Sequence, residues 1–335
     1  MQVAFTMDFR NPDGEPWRQF WEDRLWLMCE AEAMGFDALL VQEHFFQRDG
    51  YAPSVPVFLT ALIERTSSVR IGSYTYILPL HHAAQLAQET AVLDHLSGGR
   101  LDVCVGAGHD PKEYVAWGYS PKTRPSRMEE GLTVLKRAWT ERPFSFEGRY
   151  YHLDDIAVFP EPLQEPHPPL WVAATAPPAA ERAGRHGADL HGASIDPEFH
   201  AAYLRGRKQA GLDPATGRIS NAWAVTVTDE NPDAVWARNR HFYQRRWSYY
   251  SEIRSEMGDA ELAYGLEAAG EDQYREFELI GPAASVIETL RGFKDSMPIT
   301  DFVLNGPPAG IPIRTEGWHN LRAFADTVLP SLKSW

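Results

Sequence analysis

The sequence is poor in cysteine and has no long apolar run. Its two cysteines, Cys29 and Cys104, form no C-x-x-C pair, so a disulfide framework or a structural zinc site is not expected. No apolar stretch reaches the length that a membrane span needs. The first residues also lack the basic and apolar segments of a secretion signal. We therefore expect a soluble, cytoplasmic protein that does not contact a membrane.

Positive charge is scarce as well. The 335 residues include 46 acidic and 32 basic side chains, for a formal net charge of -14 at pH 7, and the basic residues form no run. A nucleic-acid partner is excluded on this ground, because binding a phosphate backbone requires a positive face. Apolar residues make up 44% of the chain, which is enough to bury a large core.

Short β-rich runs alternate with segments of helical periodicity along most of the chain. The predicted strands cover residues 3–5, 37–41, 69–78, 101–105, 170–174, 188–193, 223–228 and 300–304. Parallel strands joined by right-handed helical crossovers close naturally into a barrel when there are eight of them. The pattern predicts an α/β protein with a (β/α)8 TIM barrel, formed by residues 1–335 as a single domain.

An open, doubly wound sheet would also alternate strands and helices. That architecture usually carries a glycine-rich phosphate loop after its first strand. Here the residues at this point are Phe5-Thr6-Met7-Asp8-Phe9, with no glycine. The barrel is therefore the favoured fold.

Two segments interrupt the alternation. The proline-rich stretch 143–169 is predicted to be a hairpin inserted before the fifth strand. A second insertion, residues 229–277, lies between strands seven and eight. It could cover the site and exclude water, or it could pack the seventh helix or a subunit interface. Its aromatic residues are Trp236, Phe242, Tyr243, Trp247, Tyr249, Tyr250, Tyr264, Tyr274 and Phe277.

Reactive groups of a barrel come from the carboxyl ends of its strands. Glu43 and His44 follow strand two. A histidine is suited to proton transfer near neutral pH, and Glu43 could hold its tautomer or act as a separate polar anchor. His81 and His82 follow strand three, but neighbouring side chains point apart and no further ligand accompanies them. Helix capping is the favoured interpretation for that pair, and no metal site is expected.

Small residues follow strands four and five. Gly106 and Ala107 would let a planar ligand or a phosphate approach the backbone, although tight packing explains them equally well. Ala174-Thr175-Ala176 leads into a helix with proline in its first turn. Its backbone N–H groups and the Thr175 hydroxyl would suit an anionic phosphate, or they form an ordinary helix cap.

Three segments together resemble the bacterial luciferase-like flavin monooxygenases. They are LLVQEHF at 39–45, the run from Ile71 to His82, and the segment from Glu89 to Gly108 that contains LDHLSGGRLDV. The last of these is the most specific. The resemblance continues in the strand-five loop and returns near Gly281 and Pro282, whereas residues 229–277 show little that matches.

The resemblance implies a barrel that binds reduced FMN at its open end and uses O2 to oxygenate a small organic substrate. A separate flavin reductase would supply the reduced flavin, and the chain would form a homodimer. His44 maps onto the family's catalytic acid/base, with Glu43 among the cofactor-binding residues. The flavin ring would lie against Ser73-Tyr74-Thr75, beside an unusual cis peptide.

The resemblance also places the flavin phosphate between Gly106-Ala107 and Ala174-Thr175-Ala176. Some relatives carry an arginine at the position of Ala107 and a glutamate at that of Ala174. Phosphate binding here would then depend on backbone donors, on Thr175 or on another cation.

Two alternatives remain open at this stage. Related barrels use the deazaflavin F420 to transfer hydride without oxygen, and Glu43, His44 and the strand-three run favour FMN without deciding the matter. A non-catalytic partner subunit is the second alternative, and the presence of His44 argues against it.

Overall fold

The computed structural model describes residues 1–192, 194–257 and 273–335. Its strands are β1 (Gln2–Thr6), β2 (Ala38–Val41), β3 (Arg70–Ser73), β4 (Tyr76–Ile77), β5 (Leu101–Gly106), β6 (Phe144–Glu147), β7 (His152–Ile156), β8 (Leu170–Ala173), β9 (Asp189–His191), β10 (Ile219–Val227), β11 (Glu278–Gly281) and β12 (Asp301–Asn305). Its α-helices are α1 (Trp17–Ala33), α2 (Val55–Ile63), α3 (Ala83–Ser97), α4 (Pro111–Ala116), α5 (Arg124–Thr140), α6 (Pro177–Arg185), α7 (Pro197–Gln209), α8 (Pro232–Met257), α9 (Ala283–Ser296), α10 (Trp318–Thr327) and α11 (Leu329–Lys333). Within these ranges no helix combines the length and the apolar character needed to cross a bilayer.

The strands close into an eight-stranded parallel barrel surrounded by helices, which confirms the predicted fold. The barrel order is β1, β2, β3, β5, β8, β9, β10 and β12, and β12 returns to β1. Pairing of β9 with β10 and of β10 with β12 completes the circle. Apolar side chains on the outer faces of the strands pack against the helices and form the main core.

Two details of the barrel differ from the predicted strands. The third strand ends at Ser73, and the chain resumes with β4 only after a cis peptide bond between Tyr74 and Thr75. This bond lies where the family resemblance implies one. Directly after the second insertion, β11 pairs in parallel with the carboxyl-terminal part of β10. The short apolar run of β11 carries no alternation that would have marked it as a strand.

The inserted segment before the fifth strand contains the predicted hairpin, formed by the antiparallel pair β6 and β7. Gln164 attaches the remainder of this segment to the barrel. Its backbone N–H and its side-chain amide donate to the two carboxylate oxygens of Asp94 at 2.8 and 2.7 Å. The insertion therefore packs against α3, at the side of the barrel.

Charged side chains fill the amino-terminal end of the barrel. Arg70 binds the carboxylate of Asp102 through two nitrogens at 2.7 and 2.9 Å. Arg218 pairs with Asp301 on the opposite side and lies over the Trp171 ring. These ion pairs lie at the amino-terminal, or lower, end of the barrel.

Helices α6 and α7 touch each other through glycine. A methyl group on Gly184 would lie 2.2 Å from the carbonyl oxygen of Tyr203, and one on Gly206 would lie 2.1 Å from that of Glu181. Both obstacles are backbone atoms, which cannot move without shifting a helix. The contact fixes the two helices that follow β8 and β9.

Gly184→Ala is therefore expected to destabilise the protein by about 2 kcal/mol or more, because the helices must separate. Gly292 in α9 provides the matched control, since no atom lies within 4 Å of the methyl group that alanine would add there. Gly292→Ala should stabilise the protein by about 0.5–1 kcal/mol through helix propensity alone. Urea unfolding of both variants measures the difference, and equal stabilities would refute the close contact.

Candidate active site

His44 lies at the carboxyl end of β2 and is buried in a group of rings. Its imidazole stacks on the Tyr51 ring at a centroid distance of 4.3 Å and an interplanar angle of 24°. The His109 ring approaches edge-on at 5.3 Å. Residues after β2 and β5 therefore meet at the open end of the barrel, as the predicted fold requires.

Glu113 holds the imidazole of His44 from the other side. Nδ1 of His44 lies 3.1 Å from Oε1 of Glu113, and the backbone N–H of Phe45 donates to the same oxygen at 2.8 Å. The carboxylate is 1% exposed, and its Oε2 has no hydrogen-bond partner among the described residues. A buried carboxylate at Nδ1 fixes the orientation of the ring and directs proton exchange to Nε2.

Glu113 was not predicted, because α4 spans only six residues and its contact with His44 joins distant parts of the chain. A signal was present, however. Asp110 caps the helix by accepting from the N–H of Lys112, Pro111 begins it, and Glu113 is the acidic residue of the first turn. An aspartate followed three residues later by glutamate marks a helix start. This helix start follows β5, which is the fourth strand of the predicted barrel.

Glu43 points away from His44 and serves as a separate anchor. Its Oε2 accepts from the N–H of Ile77 at 2.7 Å and lies 2.8 Å from Nε2 of His81. Of the two roles predicted for Glu43, the structure shows the second, a separate polar anchor. The capping prediction holds only for the position of His82, which is the N-cap residue of α3 but makes no side-chain cap hydrogen bond. His81 does not cap the helix; it pairs with Glu43.

Two residues of the predicted flavin-ring segment, Ser73 and Thr75, make contacts that stabilise the barrel itself. The Ser73 hydroxyl donates to the carbonyl of Cys104 at 2.7 Å and accepts from its N–H at 2.9 Å. A methyl group on Gly106 would lie 2.7 Å from Oγ1 of Thr75. Gly106 therefore makes room for Thr75, and tight packing explains this glycine. Tyr74 and Thr75 remain partly exposed at the open end.

The phosphate region has fewer backbone donors than predicted. Ala176 is the N-cap of α6, and the first two helical residues are Pro177 and Pro178, which carry no N–H. The N–H of Ala179 bonds back to the Ala176 carbonyl at 3.0 Å. The expected row of helix N–H groups is thus absent from this turn, which leaves the Thr175 hydroxyl as the side-chain donor beside it.

The positively charged side chain of Arg124 lies near the carboxyl end of β5. Arg124, at the start of α5, donates to the carbonyl oxygen of Gly108 at 3.3 Å. Tyr114 donates to the carbonyl oxygen of Ala107 at 2.5 Å. These contacts place a guanidinium beside the loop where some relatives carry an arginine at the position of Ala107.

The residues fit the FMN that the resemblance implies, more closely at the ring than at the phosphate. For the ring, the His44 imidazole and the orphaned Oε2 of Glu113 offer polar groups at the ends of β2 and β5, and Tyr74 and Thr75 after β3 are partly exposed. Thr175 and Arg124 offer a hydroxyl and a positive charge for an anion. In the part of the chain that the structure describes, no three His, Cys, Asp or Glu side chains form a metal-binding group.

The second insertion lies close to this site. Arg10 donates to the carbonyl of Arg245 in α8 at 3.0 Å, and its guanidinium lies 5.5 Å from the Tyr51 ring. Trp236 stacks on Tyr243 at 5.4 Å, so these two rings pack the helix itself.

Among the remaining aromatic residues of the insertion, Phe242 contacts the His241 ring, and Tyr274 is buried. Trp247 packs on Phe277 with ring centroids 5.1 Å apart. Tyr264 lies outside the described residues, as do the side chains of Tyr249 and Tyr250. The described rings thus support the packing interpretation for their part of the insertion.

The chain is similar to flavin-dependent monooxygenases and to F420-dependent dehydrogenases. The family model described as luciferase-like monooxygenase matches residues 4–298. The oxygenase component of the flavin-dependent trigonelline monooxygenase of Acinetobacter baylyi is 26% identical over 305 residues, which are 85% of this chain and 83% of that protein. An F420-dependent glucose-6-phosphate dehydrogenase of Kineococcus radiotolerans is 34% identical over 47% of this chain and 48% of that protein. The uncharacterized protein y4wF of Sinorhizobium fredii is 33% identical over 56% of each chain, so the match spans about half the length of these last two relatives.

Solved structures with the same fold include both kinds of enzyme. The monooxygenase RslO1 of Streptomyces bottropensis superposes with a TM-score of 0.81 at 24% identity, over 98% of this chain and 99% of that one. An F420-dependent secondary alcohol dehydrogenase, bound to an F420–acetone adduct, gives a TM-score of 0.79 at 21% identity over 99% and 98% of the two chains.

The pair of Glu43 and His81 yields a prediction about pH. Burial lowers the pKa of His81, but the charge and the hydrogen bond of Glu43 outweigh burial and raise the pKa above its ordinary value. The pair's contribution to stability is thus complete below the unfolded histidine pKa of about 6.5 and is lost as the pH rises through the folded pKa.

Glu43→Gln should lower the pKa of His81, because the amide lacks the charge while the burial remains. An NMR titration of the imidazole protons measures this, and the gain in stability at low pH should vanish in the same variant. Glu141→Gln, which removes a half-exposed carboxylate paired with Arg137, is the control and should change neither quantity. An unaltered His81 titration in Glu43→Gln would contradict the pairing.

Proposed function

The chain belongs to the luciferase-like monooxygenase family, and from this premise we propose that it is a flavin-dependent monooxygenase that oxygenates a small organic substrate with reduced FMN and O2. The family match favours oxygenation, and the observation that carries the catalytic part of the proposal is the buried pair of His44 and Glu113 at the open end of the barrel. Its relatives are oxidoreductases of two kinds, and the acid–base pair is the part of the site that does chemistry.

Reduced FMN, when bound, would supply two electrons, so that one oxygen atom of O2 enters the product and the other is released as water. Tyr74 and Thr75 would lie against the ring. The phosphate end would be held by Thr175 and Arg124, which provide a hydrogen bond and a positive charge beside Ala107. Gly106, Ala174 and Ala176 shape this end through their small size.

His44 would handle the proton that this reaction needs. Glu113 occupies Nδ1, so Nε2 would be the nitrogen that gives or takes a proton. Tyr51 and His109 enclose the imidazole and exclude water from it. A dry environment strengthens the interaction between the charges.

F420-dependent hydride transfer is the second candidate. The same His44–Glu113 pair could protonate or deprotonate an alcohol oxygen while a hydride moves. The start of α6 offers few N–H donors. This favours a cofactor that is not held by a row of helix N–H groups, which is how FMN phosphate would usually be bound here. A non-catalytic partner subunit is disfavoured, because a structural role does not require a buried carboxylate facing a histidine.

The proposal includes a separate flavin reductase as the source of reduced FMN, a cytoplasmic location and a homodimer. It also keeps the single-domain arrangement over residues 1–335. Substrate choice would be set beside α8, since Arg10 joins that helix to the Tyr51 ring against which His44 stacks.

With FMN, a flavin reductase, NADH and oxygen, the protein is expected to add one oxygen atom to a member of a panel of aldehydes, ketones and aromatic compounds. Mass spectrometry detects the 16 Da gain, and oxygen labelled as ¹⁸O₂ should appear in the product. Reactions without the protein or without the reductase are the controls.

The cofactor assignment has its own decisive outcome. Anaerobic titration with FMN hydroquinone and with F420 compares the two dissociation constants directly. Tight F420 binding without FMN hydroquinone binding would overturn the monooxygenase proposal in favour of hydride transfer.

His44→Ala is expected to lower kcat by about 10²–10⁴-fold while leaving the fold and cofactor affinity nearly unchanged, because it removes the proton donor. Glu113→Gln keeps the size of the side chain but loses its charge, and it should lower kcat at least about tenfold with little change in KM. Steady-state kinetics measures both.

His152→Ala serves as the control for these substitutions. His152 lies exposed on the β6–β7 hairpin, so its loss should leave turnover intact. Undiminished turnover of His44→Ala would remove His44 from the mechanism, and undiminished turnover of Glu113→Gln would reduce that residue to a packing role.

A further inference from the structure

A second imidazole faces the centre of the barrel from the side opposite His44. His191 ends β9, the sixth strand of the barrel, and His44 follows β2, the second. These positions are diametrically opposed in an eight-stranded barrel. Tyr74 reaches between them, with its ring 4.6 Å from that of His191 in an edge-to-face contact.

A hydrogen bond fixes one nitrogen of this imidazole. Nδ1 of His191 lies 2.7 Å from the hydroxyl oxygen of Ser220, which is buried on the neighbouring strand β10. A hydroxyl can donate or accept, so Ser220 supports either tautomer of the ring. Within residues 1–192, 194–257 and 273–335, no protein group hydrogen-bonds Nε2 of His191, and this nitrogen is not among the fully enclosed unpaired atoms. The imidazole itself is half-buried, so a ligand can reach Nε2.

His191 also lines an internal cavity of about 50 Å³. The cavity exists because inward-facing positions carry small side chains, including Ala4, Ala38 and Cys104. Ser73, Tyr74, His191 and Ser220 lie around its upper part, and Asp102, Arg218 and Asp301 line its lower end. The imidazole thus lies at the boundary between the open end of the barrel and its interior.

Burial lowers the pKa of His191 to about 4, so the ring is neutral at pH 7. A neutral imidazole offers one donor or one acceptor at Nε2, according to the tautomer. Because Nε2 has no partner in the described protein and is not enclosed by it, a ligand with a hydrogen-bonding edge can pair with this nitrogen.

We propose that His191 is a ligand-contacting residue whose Nε2 hydrogen-bonds the polar edge of a planar heterocycle lying across the open end of the barrel, and that Ser220 positions it. The inference rests on the proposed function and extends it to the side of the site away from His44. Flavin and deazaflavin rings share the required chemistry, an edge with alternating carbonyl and N–H groups. The neutral imidazole can satisfy either kind of group.

Two substitutions separate ligand binding from ring packing. In His191→Phe combined with Ser220→Ala, the ring that contacts Tyr74 is kept, and no buried hydroxyl is left without a partner. In His191→Gln, an amide stays near the position of Nε2, but the ring is lost. His319→Gln, on an exposed residue of the outer helix α10, is the matched control.

Anaerobic titrations with FMN hydroquinone and with F420 give the dissociation constant of each protein for each cofactor. For the cofactor that the unaltered protein binds, the Kd is expected to rise about tenfold in the Phe/Ala variant. It should rise less in His191→Gln and not at all in His319→Gln. Ser220→Ala alone should raise it about threefold, because the imidazole loses its fixed orientation.

Three other outcomes of these titrations would contradict the inference or the proposed function. The reverse order, with the Phe/Ala variant normal and His191→Gln impaired, would assign His191 to packing and overturn the inference. An unchanged Kd in both Ser220→Ala and His191→Gln would also overturn it, and Ser220→Ala preserves the ring if the double variant does not fold. If the unaltered protein binds neither cofactor, the proposed function itself fails.

Discussion

The buried carboxylate of Glu113 is the constraint around which the open end of the barrel is arranged. Removing a carboxylate from water costs several kcal/mol unless charge and hydrogen bonds offset the loss. Here the compensation comes from the imidazole of His44, from the N–H of Phe45 and from the first turn of α4, whose dipole favours an anion. One carboxylate thus joins the loop after β2 to the helix after β5.

A second carboxylate–imidazole pair has a different purpose. Glu43 binds His81 and the N–H of Ile77, so it fixes the chain between β4 and α3. Adjacent residues 43 and 44 therefore serve different loops, because their side chains leave the backbone in opposite directions. Glu43 determines where the Tyr74–Thr75 segment lies, and Glu113 determines how His44 is oriented.

The sequence predicts the barrel well, because alternating strands and helices leave few ways to close a sheet. The segment that most specifically resembles the family, residues 89–108, contributes to the fold. In that segment Asp94 holds Gln164, and Arg100 donates to the carbonyl of Val69, so both residues join structural loops. Glu113 was missed because its role depends on a contact 69 residues away along the chain, which no local pattern encodes.

The two cofactor classes make the same demand on the acid–base pair, so that pair does not discriminate between them. Discrimination must arise where the cofactors are anchored. Pro177 and Pro178 remove N–H donors from α6, which weakens the usual contribution of a helix start to anion binding, while Arg124 adds a charge beside β5. A guanidinium binds an anion through a planar fork of N–H donors, a geometry different from that of a row of helix N–H groups. Under the proposed function, the chemistry would therefore be set at the open end of β2 and β5, and the choice of cofactor at the loops after β5 and β8.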